Sequence, residues 1–380
     1  MKMAEKNLHV LMVTARYFPD MGGVQTHVHE VARRLVCDGL QVTLLTTMPP
    51  PKIATEIPRE EDVEGIHIMR VRAWPAQRDY YIAPEIRTRI KQGKWDIIHC
   101  QGCHNFVPPL TMLTAREAGI PYIVTFHTGG HSEGWRSWIR GIQWRAQRSL
   151  FAHAAKLIGV SRFEAEYFRQ ILKLPPHLFT IIPNGGALPD ISQFAPATPN
   201  QDLIISAGRL ERYKGHQRLI TALPSIRKKR PQAHLLILGM GPYEATLREL
   251  ARNVGLEKHV EIRAVPAGDH QGMAQMLSQA ALVALLSEYE AHPIAVMEAL
   301  TLQRPVLVAD TSGLREIAEQ GLARAVSLNS TPEEIAQAVL QQLEYPLVPP
   351  AHLALPTWDE CVRQIQVVYR TAVKEEVCVS

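Results

Sequence analysis

The sequence predicts an α/β protein made of two doubly wound domains, each with a mostly parallel sheet between helices. The chain has 380 residues and 46% hydrophobic content, whereas a single core stops growing near roughly 250 to 300 residues. Short apolar segments typical of strands alternate with helical patterns. A turn-rich strip divides this alternation into two series. These observations predict an N-terminal domain of residues 1–184 and a C-terminal domain of residues 185–356.

The first domain is predicted from short apolar runs that indicate strands. These strands are expected at residues 9–14, 41–46, 66–70, 96–99, 122–125, 157–160 and 179–182. Helical patterns separate several of them, notably at residues 24–36 and 163–172. Three consecutive prolines at 49–51 and the acidic residues 59–65 predict a long surface excursion in this domain.

The second domain shows the same alternation of strands and helices after a hinge. Prolines and glycines between residues 183 and 199 form the turn-rich strip in which we place the hinge. The segments that follow are strand 203–207, helix 215–229, strand 234–239, helix 243–254, strand 259–263, strand 280–286 and strand 323–326. Proline-rich residues 345–356 then lead into an amphipathic helix at 358–374, within a terminal segment of residues 357–380.

The composition indicates an ordinary soluble protein in a reducing compartment. The five cysteines follow no regular framework, which argues against structural disulfides, and no segment reads as a signal peptide or membrane span. Residues 1–184 hold 23 Lys and Arg against 16 Asp and Glu, while the remainder holds 18 against 21. The basic first half favours an anionic partner or anionic membrane surface and falls short of a nucleic-acid-binding signature. We expect a cytoplasmic protein, with the inner face of the membrane as a further location.

Two carboxylates lie around the predicted start of a helix at Pro293. From residue 293 to residue 300 every side chain except Glu298 is apolar, so this helix has no polar face for a charge. Because an unpaired buried charge is costly, we interpret Glu298, with Glu290 in the preceding loop, as a pair that binds hydroxyl groups. The alternative is that Glu298 pairs with a buried Arg or a backbone donor and that Glu290 is solvated.

Two cations follow the predicted strand at residues 203–207. Arg209 and Lys214 lie in a short, glycine-flanked loop at the edge of an open sheet where ligands usually bind. Arg offers planar bidentate hydrogen bonds and Lys a mobile point charge, so together they could clamp a diphosphate. The alternative is a solvated pair on an exposed loop.

Two glycine-containing turns complete the set of motifs. Gly22 and Gly23 come after the first predicted strand and directly before a helix, where backbone amides can approach an anion. Gly239 and Gly241 form a similar turn in the second domain. A plain turn needs glycine just as often, so neither motif is specific alone.

Together these motifs resemble glycosyltransferase family 4, a group of retaining, nucleotide-sugar-dependent enzymes with the two-domain GT-B fold. The resemblance covers nearly the whole chain and extends to residues 96–99, 125–127, 160–161 and 183–185. It implies two Rossmann-like domains facing across a cleft and a terminal helix that crosses back to the N-terminal domain. It also implies transfer of a hexose-type sugar from a nucleoside diphosphate sugar, most often of UDP or GDP, to a glycan, lipid-linked or small-molecule hydroxyl.

The resemblance assigns roles to the residues at matching positions. Arg209 and Lys214 would hold the donor diphosphate and stabilise the leaving nucleotide, without a metal or any other cofactor. Glu298 would bind the ribose hydroxyls, while Glu290 would face the donor sugar. The other implied contacts are those of the Ile294 and Ala295 amides with the phosphates, of His127 with the sugar at the reaction centre, and of Gly22, Gly23 and Gly241 with the donor.

The chain also departs from the family pattern. His292 and Pro293 replace the Phe-Gly pair that relatives commonly have after the first glutamate, which alters contacts near the sugar. Gln101 stands where a second histidine is frequent. The usual acidic residue after Pro-Asn-Gly is absent, since Gly186 and Ala187 follow. None of these departures removes a charged residue on which the phosphate interpretation depends.

A segment rich in tryptophan and arginine lies at residues 131–148. Such a helix could rest on an anionic bilayer and present a lipid-linked acceptor. The alternative is an amphipathic helix of the first domain with tryptophan in its core. The residues assigned to the membrane contact are Trp135, Arg136, Trp138, Arg140, Trp144 and Arg148.

Other functions remain open at this point. Cys100 and Cys103 have haem-attachment spacing and, with His99, could suggest a metal, but two reduced thiols in a loop explain them better. A nucleotide-sugar epimerase or a phosphorylase could use the same two-domain plan. A third alternative is a non-catalytic nucleotide-sugar-binding scaffold. The cations and carboxylates at 209, 214, 290 and 298 count against the scaffold, because loss of catalysis would relax the need for them.

Overall fold

The structure is a computed structural model that describes residues 7–19, 22–49, 57–75, 82–128, 141–186, 199–266, 269–350 and 355–377. The chain divides into two compact units. Unit 1 contains the described residues up to Asn184 together with the terminal residues 358–377, and unit 2 contains the described residues between 185 and 357. Each unit is built on one mainly parallel sheet flanked by helices. The two doubly wound α/β units that the sequence predicts are therefore confirmed.

Unit 1 is organised around an eight-stranded sheet in the part of the chain that the structure describes. Its strands are β1 (His9–Thr14), β2 (Gln41–Thr47), β3 (Glu60–Val63), β4 (Ile66–Val71), β5 (Ile97–Gln101), β6 (Tyr122–Thr125), β7 (Lys156–Gly159) and β8 (Phe179–Ile181). They are ordered β3-β4-β2-β1-β5-β6-β7-β8, and all pair in parallel except β3 with β4. Because the order reverses direction at β1, the loops after β1 and β5 meet at the switch point of the sheet.

The helices of unit 1 follow the strands closely. They are α1 (Gly23–Cys37), α2 (Glu85–Gln92), α3 (Val107–Glu117), α4 (Arg148–Ala152) and α5 (Arg162–Leu172). Ser161 caps α5, since its hydroxyl accepts a hydrogen bond from the amide of Glu164. A short 3₁₀ turn at Pro176–Leu178 precedes β8.

The acidic residues 59–65 form an antiparallel edge hairpin, where the sequence predicted only a surface excursion. Strand β3 pairs with β4 through a turn at Glu64 and Gly65, both with positive φ. A two-residue turn with positive φ at both positions matches the twist of a hairpin. Arg70, which is 4% exposed, pairs with Glu61 at 2.6 Å. Cross-strand pairing therefore stabilises a segment whose charges had indicated a loop.

Unit 2 contains a six-stranded parallel sheet within the described residues. Its strands are β9 (Asn200–Ala207), β10 (His234–Leu238), β11 (Val260–Arg263), β12 (Ala280–Leu285), β13 (Val306–Ala309) and β14 (Arg324–Val326), in the order β11-β10-β9-β12-β13-β14. The helices are α6 (His216–Lys229), α7 (Glu244–Asn253), α8 (His270–Ser278), α9 (Ile294–Thr301), α10 (Ser312–Glu319) and α11 (Pro332–Glu344). The switch point lies between the neighbouring strands β9 and β12.

The sheet of unit 2 is buried on both faces. Alternate residues of β9 enter different cores: Ile205 packs in one apolar cluster and Ile204 in the other. The same alternation holds in β12 for Val283 and Leu282. A central strand buried on both sides reads as a continuous apolar run, which is why the sequence located these strands well.

An aromatic cluster forms the centre of unit 1. Phe126 stacks on Phe168 with ring centroids 3.7 Å apart, and Trp144 meets Phe168 edge-on at 4.9 Å. Trp144 is 1% exposed, and its indole N–H donates to the carbonyl of Cys103 at 3.2 Å. Arg148 donates to the carbonyls of Leu172 and Lys173. Both residues are held within the unit by these contacts.

The predicted membrane contact is therefore wrong for Trp144, which lies in the protein core, and Arg148 is engaged by backbone carbonyls. The remaining residues of that prediction, at positions 135, 136, 138 and 140, lie outside the described residues. Of the helices that are described, none combines the length and apolar content needed to cross a bilayer.

The terminal helix α12 (Trp358–Val377) belongs to unit 1. Arg34 of α1 donates to Asp359 at 2.6 Å, and Tyr369 is fully buried beside the ring of His99. Trp358 packs against His27 with ring centroids 5.7 Å apart. These contacts fix α12 on the unit that begins the chain.

We expect Phe168→Ala to lower the free energy of unfolding of unit 1 by about 3 to 5 kcal/mol, because it removes a fully buried ring and leaves a cavity. Phe106→Ala is the matched control: Phe106 is 42% exposed, so its loss should change stability by no more than about 0.5 kcal/mol. Urea unfolding followed by tryptophan fluorescence measures both variants. Equal losses would contradict the position of Phe168 at the centre of the core.

Candidate active site

The predicted cations and the first carboxylate meet at the switch point of unit 2. The loop after β9 carries Arg209 and Lys214, and the loop after the neighbouring strand β12 carries Glu290. The amide of Glu288 donates to the carbonyl of Tyr213 at 2.7 Å, and the rings of Tyr213 and Tyr289 stack at 4.6 Å. Open parallel sheets bind ligands at this edge.

Lys214 and Glu290 form an ion pair. Nζ of Lys214 lies 2.5 Å from Oε1 of Glu290, with side-chain exposures of 15% and 13%. The Ser287 hydroxyl donates to the same carboxylate oxygen at 2.9 Å, and Ser312 Oγ accepts the amide hydrogen of Glu290 at 2.8 Å. The arrangement places a cation and a carboxylate side by side in a largely buried position.

Arg209 is exposed, and its guanidinium forms no hydrogen bond or ion pair with the described residues. Arg209 comes directly after Gly208, where an added Cβ would lie 3.7 Å from Cδ of Lys214, so the backbone at the start of the loop passes close to the Lys214 side chain. One cation of the loop is thus held by a carboxylate, while the other has its donors available to a ligand. Such a pair can meet the oxygens of a diphosphate.

His216 is a buried support for this loop that the sequence analysis did not identify. Its Nε2 lies 3.2 Å from the carbonyl oxygen of Arg209, and its Nδ1 lies 2.9 Å from Oγ of Ser206. Burial lowers the pKa of His216 to about 4, so the ring is neutral and can donate from Nε2 and accept at Nδ1. The signal in the sequence was a polar residue at the first position of an otherwise apolar helix face.

Glycines allow the loops to approach each other. Gly215 has a φ of +77°, and a Cβ there would lie 2.0 Å from the carbonyl oxygen of Leu286 at the end of β12. A Cβ at Gly241 would lie 2.4 Å from the carbonyl oxygen of Leu210. Packing therefore explains the glycine at 241, and its contact with a donor stays a prediction.

Glu298 lies on α9 with 6% of its surface exposed and without a hydrogen bond or ion pair to any described residue. Burial raises the pKa of Glu298 to about 8. Its carboxyl therefore keeps its proton around neutral pH and can both donate and accept. The internal ion pair that was the alternative for Glu298 is not present among the described residues.

The N-terminus of α9 offers backbone donors. The amides of Val296 and Met297 both donate to the carbonyl of Pro293. The preceding amides of Ile294 and Ala295 belong to the first helical turn, where no intrahelical acceptor exists. His292 lies just before this turn, with its Nδ1 buried and without a hydrogen bond among the described residues. Burial lowers the pKa of His292 to about 4, which keeps it neutral.

The predicted residues of unit 1 follow β1 and β6. Helix α1 begins at Gly23, directly after Gly22, so its free N-terminal amides lie at the switch point between β1 and β5. His127 follows β6 with a φ of 60°, an uncommon value for a residue with a side chain. Its ring lies edge-on to His27 with centroids 4.4 Å apart.

His127 is supported by buried polar groups that the sequence analysis did not assign to it. Its Nε2 lies 2.7 Å from Oε1 of Gln101. Glu164 of α5 accepts hydrogen bonds from the amide of Thr128, next to His127, and from the amide of Val160 at 2.8 Å. Burial lowers the pKa of His127 well below its usual range, so its ring is neutral.

The described residues contain no cluster of ligands that could hold a metal ion. Cys100 and Cys103 are buried, reduced thiols, and burial raises the pKa of the Cys100 thiol. Cys100 lies within strand β5 and Cys103 in the segment after it, so the prediction of two free thiols in a loop is wrong for Cys100.

We expect Gly215→Ala to weaken the binding of a nucleoside diphosphate by about tenfold or more, because the new Cβ pushes the Lys214 loop away from Leu286. The matched control is Gly255→Ala, whose φ of +70° is equally left-handed but whose Cβ would enter open space. Titration calorimetry measures both. Equal weakening would show that backbone strain, and not the approach of the loops, is responsible.

We expect the stability difference between Glu298→Gln and wild type to depend on pH. The pKa of Glu298 is raised to about 8 in the folded state from an ordinary value of 4.5. Between these values the folded state holds a proton that the unfolded state has lost, so wild-type stability falls as pH rises, by at most about 1.4 kcal/mol per pH unit. Glu298→Gln has no carboxyl at this position, so its stability does not fall for this reason.

Denaturant titrations from pH 4 to pH 9 without ligand test the sign. The free energy of unfolding of the variant minus that of wild type should rise through the window and level off above it. A flat difference would contradict the burial of an unpaired carboxyl at 298.

Comparison with known proteins identifies the family. The glycosyl transferase 4-like domain model matches residues 22–185, and the glycosyl transferases group 1 model matches residues 189–352. A GDP-mannose-dependent monoacylated α-(1-6)-phosphatidylinositol monomannoside mannosyltransferase of Corynebacterium glutamicum is 24% identical over 361 residues, 89% of this chain and 89% of the relative.

Solved structures show the same fold. Sucrose-phosphate synthase from Thermosynechococcus elongatus is similar with a TM-score of 0.75 at 20% identity, over 96% of this chain and 98% of that one. HepE of Anabaena, solved with UDP and glucose, is similar with a TM-score of 0.68 at 18% identity, over 98% and 100%. With one model on each half of the sequence and a shared GT-B fold, the chain belongs to the group 1 glycosyltransferases of family 4 and is an enzyme of the hexosyltransferase class.

Proposed function

We propose that the protein is a retaining, metal-independent glycosyltransferase that moves a hexose from a nucleoside diphosphate sugar to an acceptor hydroxyl. The observation that carries the proposal is the charge arrangement at the switch point of unit 2. There, the loop after β9 carries the exposed Arg209 together with Lys214, whose ion pair with Glu290 joins this loop to the one after β12. Two cations and a hydroxyl-binding carboxylate match the diphosphate and the sugar of such a donor.

In the proposed reaction, the bond between C1 of the sugar and the diphosphate oxygen breaks while the acceptor oxygen bonds to C1 on the same face. The acceptor proton passes to the departing phosphate oxygen. Negative charge develops on the leaving diphosphate, and Arg209 and Lys214 stabilise it there. This role needs no metal, since each charge-assisted hydrogen bond is itself strong. Glu290 would bind hydroxyls of the sugar as Lys214 turns to the phosphates.

The nucleoside end of the donor is assigned to α9. Glu298 would accept and donate hydrogen bonds to the hydroxyls of a ribose, because its carboxyl has no partner among the described residues. Binding replaces a desolvated, unsatisfied group by a hydrogen-bonded one, which is favourable. The amides of Ile294 and Ala295 would donate to the phosphates at the helix N-terminus. Gly241 would contact the donor through its backbone.

The proposed roles of unit 1 residues concern the sugar and the diphosphate. His127 would hydrogen-bond the sugar at the reaction centre as a neutral imidazole. Gly22 and Gly23 would approach the diphosphate with the first amides of α1. The acceptor would be a glycan, a lipid-linked sugar or a small molecule. A cytoplasmic location and a contact with anionic membrane stay predictions.

The nucleotide is proposed to be UDP or GDP. One relative is named for its dependence on GDP-mannose, and one structure of the same fold was solved with UDP and glucose. A thermal-shift screen of UDP, GDP, ADP and TDP sugars tests the choice, because a ligand of the native state raises the melting temperature. NMR of the product decides retention: the new linkage must keep the anomeric configuration of the donor.

The same assay separates the alternatives. A transferase releases nucleoside diphosphate only when an acceptor is present, and it does so in excess EDTA. A phosphorylase would require inorganic phosphate, and an epimerase would convert the donor without an acceptor. Donor binding without turnover across a wide acceptor panel would indicate the scaffold.

We expect Arg209→Ala and Lys214→Ala each to lower kcat by about 10²- to 10³-fold, because each removes a donor aimed at the developing charge. The matched control is Arg212→Ala, which removes an exposed arginine of the same loop. All three should melt within a few degrees of wild type. Near wild-type turnover in either of the first two would show that the diphosphate is held elsewhere.

A further inference from the structure

A buried chain of hydrogen bonds joins the terminal helix of unit 1 to the ring of His127. The Tyr369 hydroxyl lies 2.7 Å from Nδ1 of His99. Nε2 of His99 lies 3.2 Å from the amide nitrogen of Gln101, whose amide oxygen lies 2.7 Å from Nε2 of His127. The first two residues are fully buried and Gln101 is 2% exposed. Water therefore does not compete for these bonds.

The side-chain amide of Gln101 determines which atoms donate and which accept in this series of hydrogen bonds. Its nitrogen can only donate, so Nε2 of His99 accepts, and Nδ1–H of His99 donates to the Tyr369 hydroxyl. Its oxygen can only accept, so Nε2 of His127 carries the proton of that ring. The Thr125 hydroxyl also lies 2.7 Å from Nε2 of His99 and shares the single lone pair of this nitrogen with the Gln101 amide. One orientation of one amide thus sets the tautomers of two histidines.

The orientation of the His127 ring depends on the hydrogen bond to Gln101, because the backbone conformation of His127 does not determine it. The residue has a φ of 60° at the end of β6, and Glu164 holds the amide of the following Thr128. Side-chain rotation is limited by the edge contact with His27 and by the hydrogen bond to Gln101. Nδ1 of His127 has no hydrogen bond with a described residue, so its lone pair is the free position of the ring.

We propose that Gln101 is a positioning residue that holds His127 as the Nε2–H tautomer and presents the Nδ1 lone pair to a hydroxyl of the transferred sugar. This inference rests on the proposed function of His127. A neutral amide does not titrate, so the tautomer stays the same across the working pH range. The chain has glutamine here in place of the second histidine of the family pattern, and an amide can be donor on one side and acceptor on the other at the same time.

The test compares Gln101→Leu, which removes both hydrogen bonds at similar volume, with Gln101→Glu, which keeps an oxygen acceptor for His127. Gln342→Leu is the matched control, since Gln342 is a fully buried glutamine of unit 2 that bonds to the backbone of Val306 and Leu347. Each full-length protein is labelled with ¹⁵N-histidine. Ring nitrogen shifts give the tautomer of His127, which is assigned by its absence in His127→Gln. Turnover is measured with the donor found in the screen.

We expect wild type and Gln101→Glu to show a protonated Nε2 in His127, and Gln101→Leu to show a mixture of tautomers. Gln101→Leu should lower kcat by about 10- to 100-fold with the donor KM changed less than about threefold, since binding is kept and orientation is lost. The double variant Gln101→Leu, His127→Ala should have the same kcat as His127→Ala alone. Gln342→Leu should leave the tautomer and kcat unchanged.

An unchanged tautomer in Gln101→Leu would overturn the inference, as would an equal loss of kcat in Gln342→Leu. Wild-type turnover of His127→Ala would also overturn it, while glycosyl transfer itself would stand. If wild type transferred no sugar from any donor, the proposed function would fail, and the nitrogen shifts would still decide whether Gln101 sets the tautomer. Should Gln101→Leu fold poorly, Gln101→Met removes the same bonds with a more adaptable side chain.

Discussion

The close approach of Gly215 to the carbonyl of Leu286 is the constraint on which the candidate site depends. Only a residue without a Cβ and with a left-handed backbone fits there. The approach lets the loop after β9 bond to the loop after β12, through the Tyr213 carbonyl and the Ser287 hydroxyl. It thereby brings Lys214 to Glu290, although 76 residues separate them in sequence. Without this contact the two strands would still be neighbours, but their charged side chains would not meet.

Burial then decides the charge of several polar groups in each unit. His216, His127 and His292 all have pKa values lowered by desolvation, and each is neutral near pH 7. Glu298 is neutral for the same reason, with its pKa raised. In contrast, Lys214 and Glu290, whose side chains are 15% and 13% exposed, form an ion pair with each other. The switch point of unit 2 thus combines this ion pair with neutral groups that donate and accept hydrogen bonds.

The sequence was sufficient to predict structural features that depend on a single local pattern of apolar and polar residues. The lone acid in the apolar run 293–300 predicted that Glu298 is buried, because an apolar helix has no place for a solvated charge, while the choice between a ligand and an internal partner stayed open. Continuous apolar strands predicted the sheets, since burial on both faces leaves no other pattern. The order of the strands, and hence the position of the switch points, was not predicted and comes from the structure. These features are local or belong to the whole fold.

The sequence was insufficient to predict features that depend on contacts between residues far apart in the chain. Trp144 occurs in a segment whose arginines suggested a membrane surface, yet Phe168 and the Cys103 carbonyl hold it in the core. The short hairpin at β3 is formed by turn geometry and by an ion pair with Arg70, neither of which its acidic composition reveals. Gln101 could be read only as a departure from a pattern, because its two hydrogen bonds connect to different elements of unit 1.

The two units differ in the kind of polar group that they place at their switch points, and the difference follows the chemistry of a nucleotide sugar. Unit 2 offers cations and a carboxylate, which suit a diphosphate whose charge increases as the bond to the sugar breaks. Unit 1 offers helix amides, which we propose for the diphosphate, and a neutral imidazole hydrogen-bonded to Gln101, which suits hydroxyl groups whose charge does not change. A charged histidine at 127 would oppose the positive character that C1 acquires in glycosyl transfer. In the proposed reaction, a ring kept neutral by burial, with its proton fixed on Nε2 by an amide, would therefore avoid this repulsion.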